Sequence, residues 1–150
     1  MSQSLAQLLV HLVFSTRARR PWLTDDVREP LHAYVGGIVA DLKGTLLRAG
    51  SVSDHIHLLC ALPRTRAPAD VVREIKAGSS RWLRAGGTRH DEFHWQGGYG
   101  MFSISPSHRA ALTQYIDRQA EHHRIVGFQE EFLRLLEVYG LQHDERILWD

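Results

Sequence analysis

Two stretches of the chain bring together side chains able to do chemistry. Residues 54–59 read DHIHLL, so His55 and His57 flank a single isoleucine, with Asp54 just before them. In a strand, residues two apart share a face. The two imidazoles therefore point the same way, while Ile56, Leu58, Cys60 and Leu62 line the opposite, apolar face. Two imidazoles on a rigid strand can hold one metal ion. The plain alternative is a pair of surface histidines in a chain that has 10.

The second stretch, TQYIDRQAEHH (residues 113–123), reads as helix. Tyr115 and Gln119 are four apart and stack on one helical face. His122 and His123 follow Gln119 at three and four residues. Gln119, His122 or His123 could each complete a three-ligand set with the histidine pair. A helical tyrosine is more often core than nucleophile. The neighbours of Tyr115 (Gln114, Asp117, Arg118, Gln119) are polar, which argues for an exposed or site-facing hydroxyl.

A third group is aromatic and basic. Trp82, Phe93, Trp95, Tyr99 and Phe102 lie close in sequence to Arg81, Arg84 and Arg89. Rings that stack bases and arginines that hold phosphates suit single-stranded nucleic acid. The simpler reading of most of these rings is core. The glycines of WQGGYG either admit a ligand to the backbone or merely turn the chain.

The elements that must position these groups can be read in order. Residues 5–16 are rich in β-formers and read as a strand. Thr24 is a candidate N-cap for a helix over 24–42, with Asp25 and Asp26 in its first turn. Its apolar residues recur at helical spacing, and Pro30 marks either a kink or a late start. Two adjacent strands follow, turning near Ser53–Asp54. A second helix spans about 68–85 and stops at Gly86–Gly87. A short strand ends the segment 93–105. A third helix covers 105–124, capped by Ser105 or Ser107, and a fourth covers 128–140, closed by Gly140. The order β-α-β-β-α-β, then helices, predicts an α+β, ferredoxin-like antiparallel sheet with helices packed on a face.

Composition sets the bounds. A chain of 150 residues, 43% hydrophobic, fits one domain over residues 1–150 with a real core. No apolar run approaches the roughly 20 residues of a membrane span. The N-terminal apolar run precedes its basic cluster, the wrong order for a secretory signal. With one cysteine, Cys60, there is no internal disulfide, and a cytoplasmic location is expected. The net charge is only +1, but it is unevenly spread. Seven cations stand against two acids from Arg64 to Arg89, and eight acids stand against four arginines from Tyr115 to Asp150. Only Lys43 and Lys76 are lysines. Arginine suits bidentate phosphate contact, although a GC-rich genome produces the same bias.

The ordered set of motifs resembles the single-tyrosine HUH transposases, small enzymes of bacterial insertion sequences, with their REP-associated tyrosine transposase relatives. His55-Ile56-His57 is similar to the HUH motif, and Tyr115 with Gln119 to the family's Tyr-x-x-x-Gln helix. LVHLVFSTRARRPWL resembles the first strand and basic turn. REIKAGSSRWL, WQGGYGMFSIS and FQEEFLRLLEVYGLQHDERILW resemble the second helix, the aromatic segment and the tail. HUH alone is a weak signal; the ordered set, which covers nearly the whole chain, is strong.

The resemblance implies an enzyme that cleaves and rejoins single-stranded DNA at element ends folded as imperfect hairpins. It implies Tyr115 as nucleophile, forming a 5′-phosphotyrosine link. It also implies one divalent cation, Mg2+ or Mn2+, on His55, His57 and Gln119, polarising the scissile phosphate. A homodimer is implied as well, with composite sites if the tyrosine helix of one protomer completes the histidine pair of its partner. Arg17, Arg19, Arg20, Lys76, Arg81 and Arg84 are the candidate DNA-backbone contacts, whose effect should be salt-dependent. Three rival readings follow from the same residues. One is a non-catalytic hairpin-DNA-binding relative, against which the intact motif residues argue. Another is a ferredoxin-like RNA-binding domain, which would carry aromatics where His55 and His57 stand. The third is a zinc protein built on His55, His57 and His122 or His123.

Overall fold

The computed structural model of the protein describes residues 2–86, 90–123 and 126–149. Gly87, Arg89 and Arg124, named above as a helix stop, a cation and a helix end, lie outside the described residues. Four strands, β1 (Leu9–Ser15), β2 (Thr45–Ser51), β3 (His55–Ala61) and β4 (Gly100–Ser103), form one sheet in the order β2-β3-β1-β4. All three pairings are antiparallel. Helix α1 (Asp25–Asp41) joins β1 to β2, and α2 (Pro68–Ala85) joins β3 to β4. This is the expected ferredoxin-like arrangement, in which β3 lies between the two strands that α1 connects.

Alternation along the strands divides the sheet into two unlike faces. Val10, Leu12 and Phe14 of β1 and Ile56, Leu58 and Cys60 of β3 point to one side. There they meet Leu31, Val35 and Val39 of α1 and Val71, Val72, Ile75 and Leu83 of α2. Each large apolar side chain fully buried here contributes about 1.5–3 kcal/mol. Phe93 and Trp95 belong to this core, their rings edge-to-face at 4.8 Å. Phe102 is also buried, on the other side. Three of the five candidate stacking rings are thus core, whereas Tyr99 is 39% exposed and Trp82 stacks on Tyr34 at 5.3 Å.

The second face is covered by helices that follow β4: α3 (Arg109–Asp117), α4 (Gln119–His122) and α5 (Phe128–Val138), with α6 (Glu145–Leu148) after them. Leu112 and Ile116 of α3 pack on Leu59, while Phe128, Phe132 and Leu136 of α5 pack on Val13 and Phe102. Two glycines permit this close seating. A Cβ on Gly50 of β2 would lie 2.6 Å from the Ile116 carbonyl oxygen, and one on Gly100 of β4 would lie 2.5 Å from the Phe132 ring.

Local expectations are corrected at several points. The first strand begins at Leu9, because its partner β3 ends opposite at Ala61 and Pro63 follows; Leu5 is left 83% exposed. Helix α1 starts at Asp25 and runs through Pro30, which forgoes one bond near the start of a 17-residue helix. Thr24 occupies the N-cap position, but its hydroxyl donates to Asp26 Oδ1 at 2.5 Å and caps no backbone N–H. The hydroxyls of Ser105 and Ser107 pair with each other at 2.8 Å instead of capping α3. The third helix is not continuous either. It breaks at Arg118, just after Asp117 is gripped by Arg48 through contacts of 2.6 and 2.7 Å. Gly140 closes the last long helix as expected, at φ +69°.

Candidate functional site

His55 and His57 project from β3 into the second face, where both are fully buried under the later helices. Their ring centroids are 5.2 Å apart. Each ring is held at its inner nitrogen. His55 Nδ1 donates to Asp54 Oδ1 at 2.7 Å, and His57 Nδ1 lies 2.8 Å from Nε2 of His11 on β1. The Nε2 atoms of both rings therefore face outward to a shared point, the arrangement that second-sphere partners create for ligating histidines.

That point is occupied by Glu131 of α5. Its Oε1 lies 2.8 Å from His57 Nε2, 3.3 Å from His55 Nε2 and 3.1 Å from His123 Nε2. Its Oε2 accepts a short hydrogen bond from the Tyr115 hydroxyl and lies 3.4 Å from His122 Nε2. Gln119, on the far side of the Arg118 break, is buried, with Oε1 3.4 Å from His55 Nε2 and Nε2 3.4 Å from Glu131 Oε2. The structure thus brings Tyr115, His55, His57, Gln119, His122 and His123 to one place within one chain.

The electrostatics follow from burial around one carboxylate. Burial opposes ionisation of Glu131, but hydrogen bonds with His123, His55 and His57 outweigh it and hold the carboxyl far below its usual range. Burial lowers His57 to about 4 against the pull of Glu131, and it lowers His11 to about 3, helped by His57. For His55 burial acts in the same direction, but Asp54 and Glu131 together carry it above its ordinary value. The Tyr115 hydroxyl is pushed up by burial and by the adjacent Glu131 charge. As folded, the tyrosine is therefore a protonated group oriented by an anion.

The donor set suits a divalent cation: outward-facing imidazole nitrogens at one point, an amide oxygen beside them and a carboxylate among them. An open cleft of about 640 Å³, lined by Gln114, Tyr115, Arg118, Glu121 and His122, gives access to the tyrosine from outside.

The candidate DNA contacts are dispersed. Arg17 and Arg20 are exposed in a turn where Ala18 and Arg19 both take φ 55°. Thr16 fastens this turn beside the histidines, its N–H donating to the Asp54 carbonyl at 2.8 Å and its hydroxyl to the Arg20 carbonyl at 2.7 Å. Arg81 is exposed on α2. Arg84 donates to the Phe93 carbonyl at 3.0 Å. Lys76 is turned inward, donating to the carbonyls of Gln96 and Gly98 at 2.9 and 2.6 Å, and burial lowers it to about 8.

Sequence reasoning missed His11 and Glu131. Both left a signal. His11 is a polar residue inside the apolar strand LVHLVFS. Glu131 stands three residues after Phe128 and one before Phe132, on the buried stripe of α5.

Comparison with known proteins gives a consistent result. Residues 4–119 match the family described as Transposase IS200 like. The chain is similar to the ISDra2 transposase TnpA of Deinococcus radiodurans, 26% identical over 118 residues, covering 75% of this chain and 84% of that protein. Among solved structures it resembles a Deinococcus radiodurans R1 protein described as a transposase, at TM-score 0.62 and 24% identity, over 79% of this chain and 98% of that one. It also resembles a REP-associated tyrosine transposase bound to a REP hairpin, at TM-score 0.60 and 18% identity, over 84% and 76% of the two chains. Among the described residues no helix is long and apolar enough to cross a membrane.

Proposed function

The chain belongs to the IS200-like transposase family, and from that premise we propose that it cleaves and rejoins single-stranded DNA at hairpin-bearing ends with Tyr115 as nucleophile. The observation that carries this reading is the meeting of the Tyr115 hydroxyl with the outward nitrogens of His55 and His57 around Glu131. His55, His57 and Gln119 would hold a divalent cation, Mg2+ or Mn2+, which when bound supplies Lewis-acid polarisation of a phosphate oxygen. The chain's own residues do the rest. Asp54 and His11 keep the imidazoles aimed outward. Glu131 Oε2 orients the tyrosine oxygen; a carboxylate held so far down is a weak base, so it positions the hydroxyl more than it stores the proton. Attack by the Tyr115 oxygen on phosphorus would form the 5′-phosphotyrosine bond and break the P–O3′ bond; the proton that the phenol gives up is balanced by the one with which the 3′-oxygen leaves as a hydroxyl. The link retains the phosphodiester bond energy for rejoining.

The exposed Arg17 and Arg20, with Arg19 and Arg118, suit phosphate contacts near this centre. In a homodimer with composite sites, the tyrosine helix of one protomer would instead meet the histidine pair of its partner. Exchange of the tyrosine helix would have to break the Arg48–Asp117 pair and lift Ile116 off Gly50. A hairpin-binding protein without cleavage would have no use for a tyrosine oriented on the histidine pair.

The test is a denaturing-gel assay with labelled single-stranded DNA from the flanks of the protein's own gene, with Mg2+ or Mn2+. We expect a covalent adduct that requires the cation and is absent in Tyr115→Phe and His57→Ala. Tight hairpin binding with no adduct would establish the binding-protein reading instead, and an adduct surviving Tyr115→Phe would move the nucleophile elsewhere.

A further inference from the structure

The chain enters its basic turn one residue after Ser15, the register partner of His55. Arg17, Arg19 and Arg20 stand there around Ala18. Ala18 and Arg19 both take φ 55°, and they are two of only three non-glycine residues with positive φ among the described residues. Left-handed backbone crowds a Cβ against the following carbonyl oxygen, so it is unfavourable for alanine and arginine where glycine adopts it readily. Two such residues in succession persist only where the surroundings over-determine them.

The surroundings act here through Thr16, which is fully buried. Its hydroxyl donates to the Arg20 carbonyl at 2.7 Å, closing the turn on itself, and lies 3.2 Å from the Asp54 carbonyl. Its N–H donates to the same Asp54 carbonyl at 2.8 Å. Beyond it, the Arg17 N–H donates to the His94 carbonyl at 2.8 Å and the Leu23 N–H to the Ser53 carbonyl at 2.9 Å. Asp54 is the shared anchor: its backbone holds the turn, and its carboxylate accepts from His55 Nδ1 at 2.7 Å. Arg17 and Arg20 are exposed and line one cleft of about 450 Å³ with Trp22 and His94. Asp91 and Glu92 share that cleft, so a phosphate is favoured only along its arginine edge.

We propose that Thr16 is a positioning residue that locks this strained turn, so that Arg17 and Arg20 meet a substrate phosphate in fixed register with His55. The inference rests on the proposed cleavage of single-stranded DNA, but it concerns the backbone that presents the arginines. Strain held by the fold keeps the free turn in its binding conformation, so little ordering remains when the strand arrives. Glycine at position 18 would accept the same φ without strain, yet it would free the arginines to drift.

The experiment measures binding and cleavage on the full chain. A fluorescent single strand from the flanks of the protein's own gene is titrated by anisotropy. The saturated rate of adduct formation and the half-saturating strand concentration come from denaturing gels. Ala18→Gly relieves the strain, so its urea midpoint should match or exceed that of the unaltered protein. It should nonetheless weaken binding about 3-fold or more and raise the half-saturating concentration in step. Thr16→Val keeps the side-chain shape but lacks the hydroxyl; it should weaken binding and also slow the saturated rate, because Asp54 loosens behind His55. Thr16→Ser should recover both, and its failure to do so overturns the role of the hydroxyl. The deciding readout is coupling. In an Arg17→Ala/Arg20→Ala background the loss caused by Ala18→Gly should vanish, whereas a turn that merely stabilises the fold would give the same loss in both backgrounds. Circular dichroism verifies folding, and Ala18→Gly decides the matter alone if Thr16→Val does not fold. Undiminished affinity in Ala18→Gly, or an equal loss in both backgrounds, overturns this inference and leaves the adduct chemistry untouched. The coupled loss of binding without any adduct overturns the nuclease reading and leaves the locked turn standing.

Discussion

The two faces of β3 are made by alternate residues of one seven-residue strand, yet they obey different rules. Ile56, Leu58 and Cys60 enter an apolar core under α1 and α2. His55 and His57 enter a polar cluster under α3, α4 and α5, equally hidden from water. On the first face, burial stabilises in proportion to the area removed from water. On the second, burial costs free energy, offset by hydrogen bonds that are nearly complete: among the described residues no buried side-chain polar atom lacks a partner. Burial alone thus does not tell core from site. What separates them is whether the buried groups need one particular neighbour or only an apolar one.

Neighbouring substitutions should break this contrast most sharply. His57→Ala should lower adduct formation below detection while costing only about 1–3 kcal/mol of stability, from the partners it strands. Leu58→Ala, one residue on, should cost about 2–5 kcal/mol, with adduct yield per folded molecule unchanged at low temperature. Urea melts and gel assays on both proteins test this. Equal losses of activity would mean that the faces are not separable.

Acid should act on the histidine face first. His11 and His57 are held below their unfolded values, so the unfolded chain takes up protons that the folded chain refuses as pH falls below about 6.5. Each proton lowers stability by up to about 1.4 kcal/mol per pH unit, down to the folded values of about 3 and 4. His55 runs oppositely: its contribution is full below the unfolded value and is lost as pH rises through its raised folded value. Glu131, held low, adds a further loss as pH falls below its unfolded value of 4.5. Urea melts should therefore show stability falling from pH 6.5 to 4.5, with a smaller slope in His57→Ala.

The glycines sharpen the comparison at smaller scale. Gly50→Ala should cost about 1–3 kcal/mol, because its Cβ meets the backbone of α3, and it should weaken adduct formation by shifting Tyr115. Gly78→Ala, between α2 and α1, meets only the tip of Ile38 at 2.7 Å. It should be nearly neutral in both assays. The smallest effect expected is at Cys60, whose thiol burial pushes up to about 12. It should resist a thiol reagent at pH 8 in the native protein and react on unfolding.

Much of this was legible in the chain. The four strands, the two crossover helices and α5 follow from periodicity and punctuation, and Tyr115, His55, His57 and Gln119 from motif spacing. The errors fell where partners decide. Residues 5–8 have strand composition but no strand opposite them. Residues 109–123 have helical periodicity but break at Arg118, where the Arg48–Asp117 pair and the inward turn of Gln119 intervene. Lys76 reads as a cation of a basic helix, and only the folded chain shows that it donates to the carbonyls of Gln96 and Gly98.

The sequence by itself determined the alternation of β3, because side-chain direction in a strand follows from backbone geometry alone. It likewise determined that two imidazoles share a face and that a tyrosine and a glutamine lie four residues apart. Only the tertiary structure decided what stands opposite them. Glu131 is 74 residues from His57, and no local rule links the two. Their contact exists because Gly50 and Gly100 let α3 and α5 settle on the sheet, and because a carboxylate buried on an apolar stripe must find partners there.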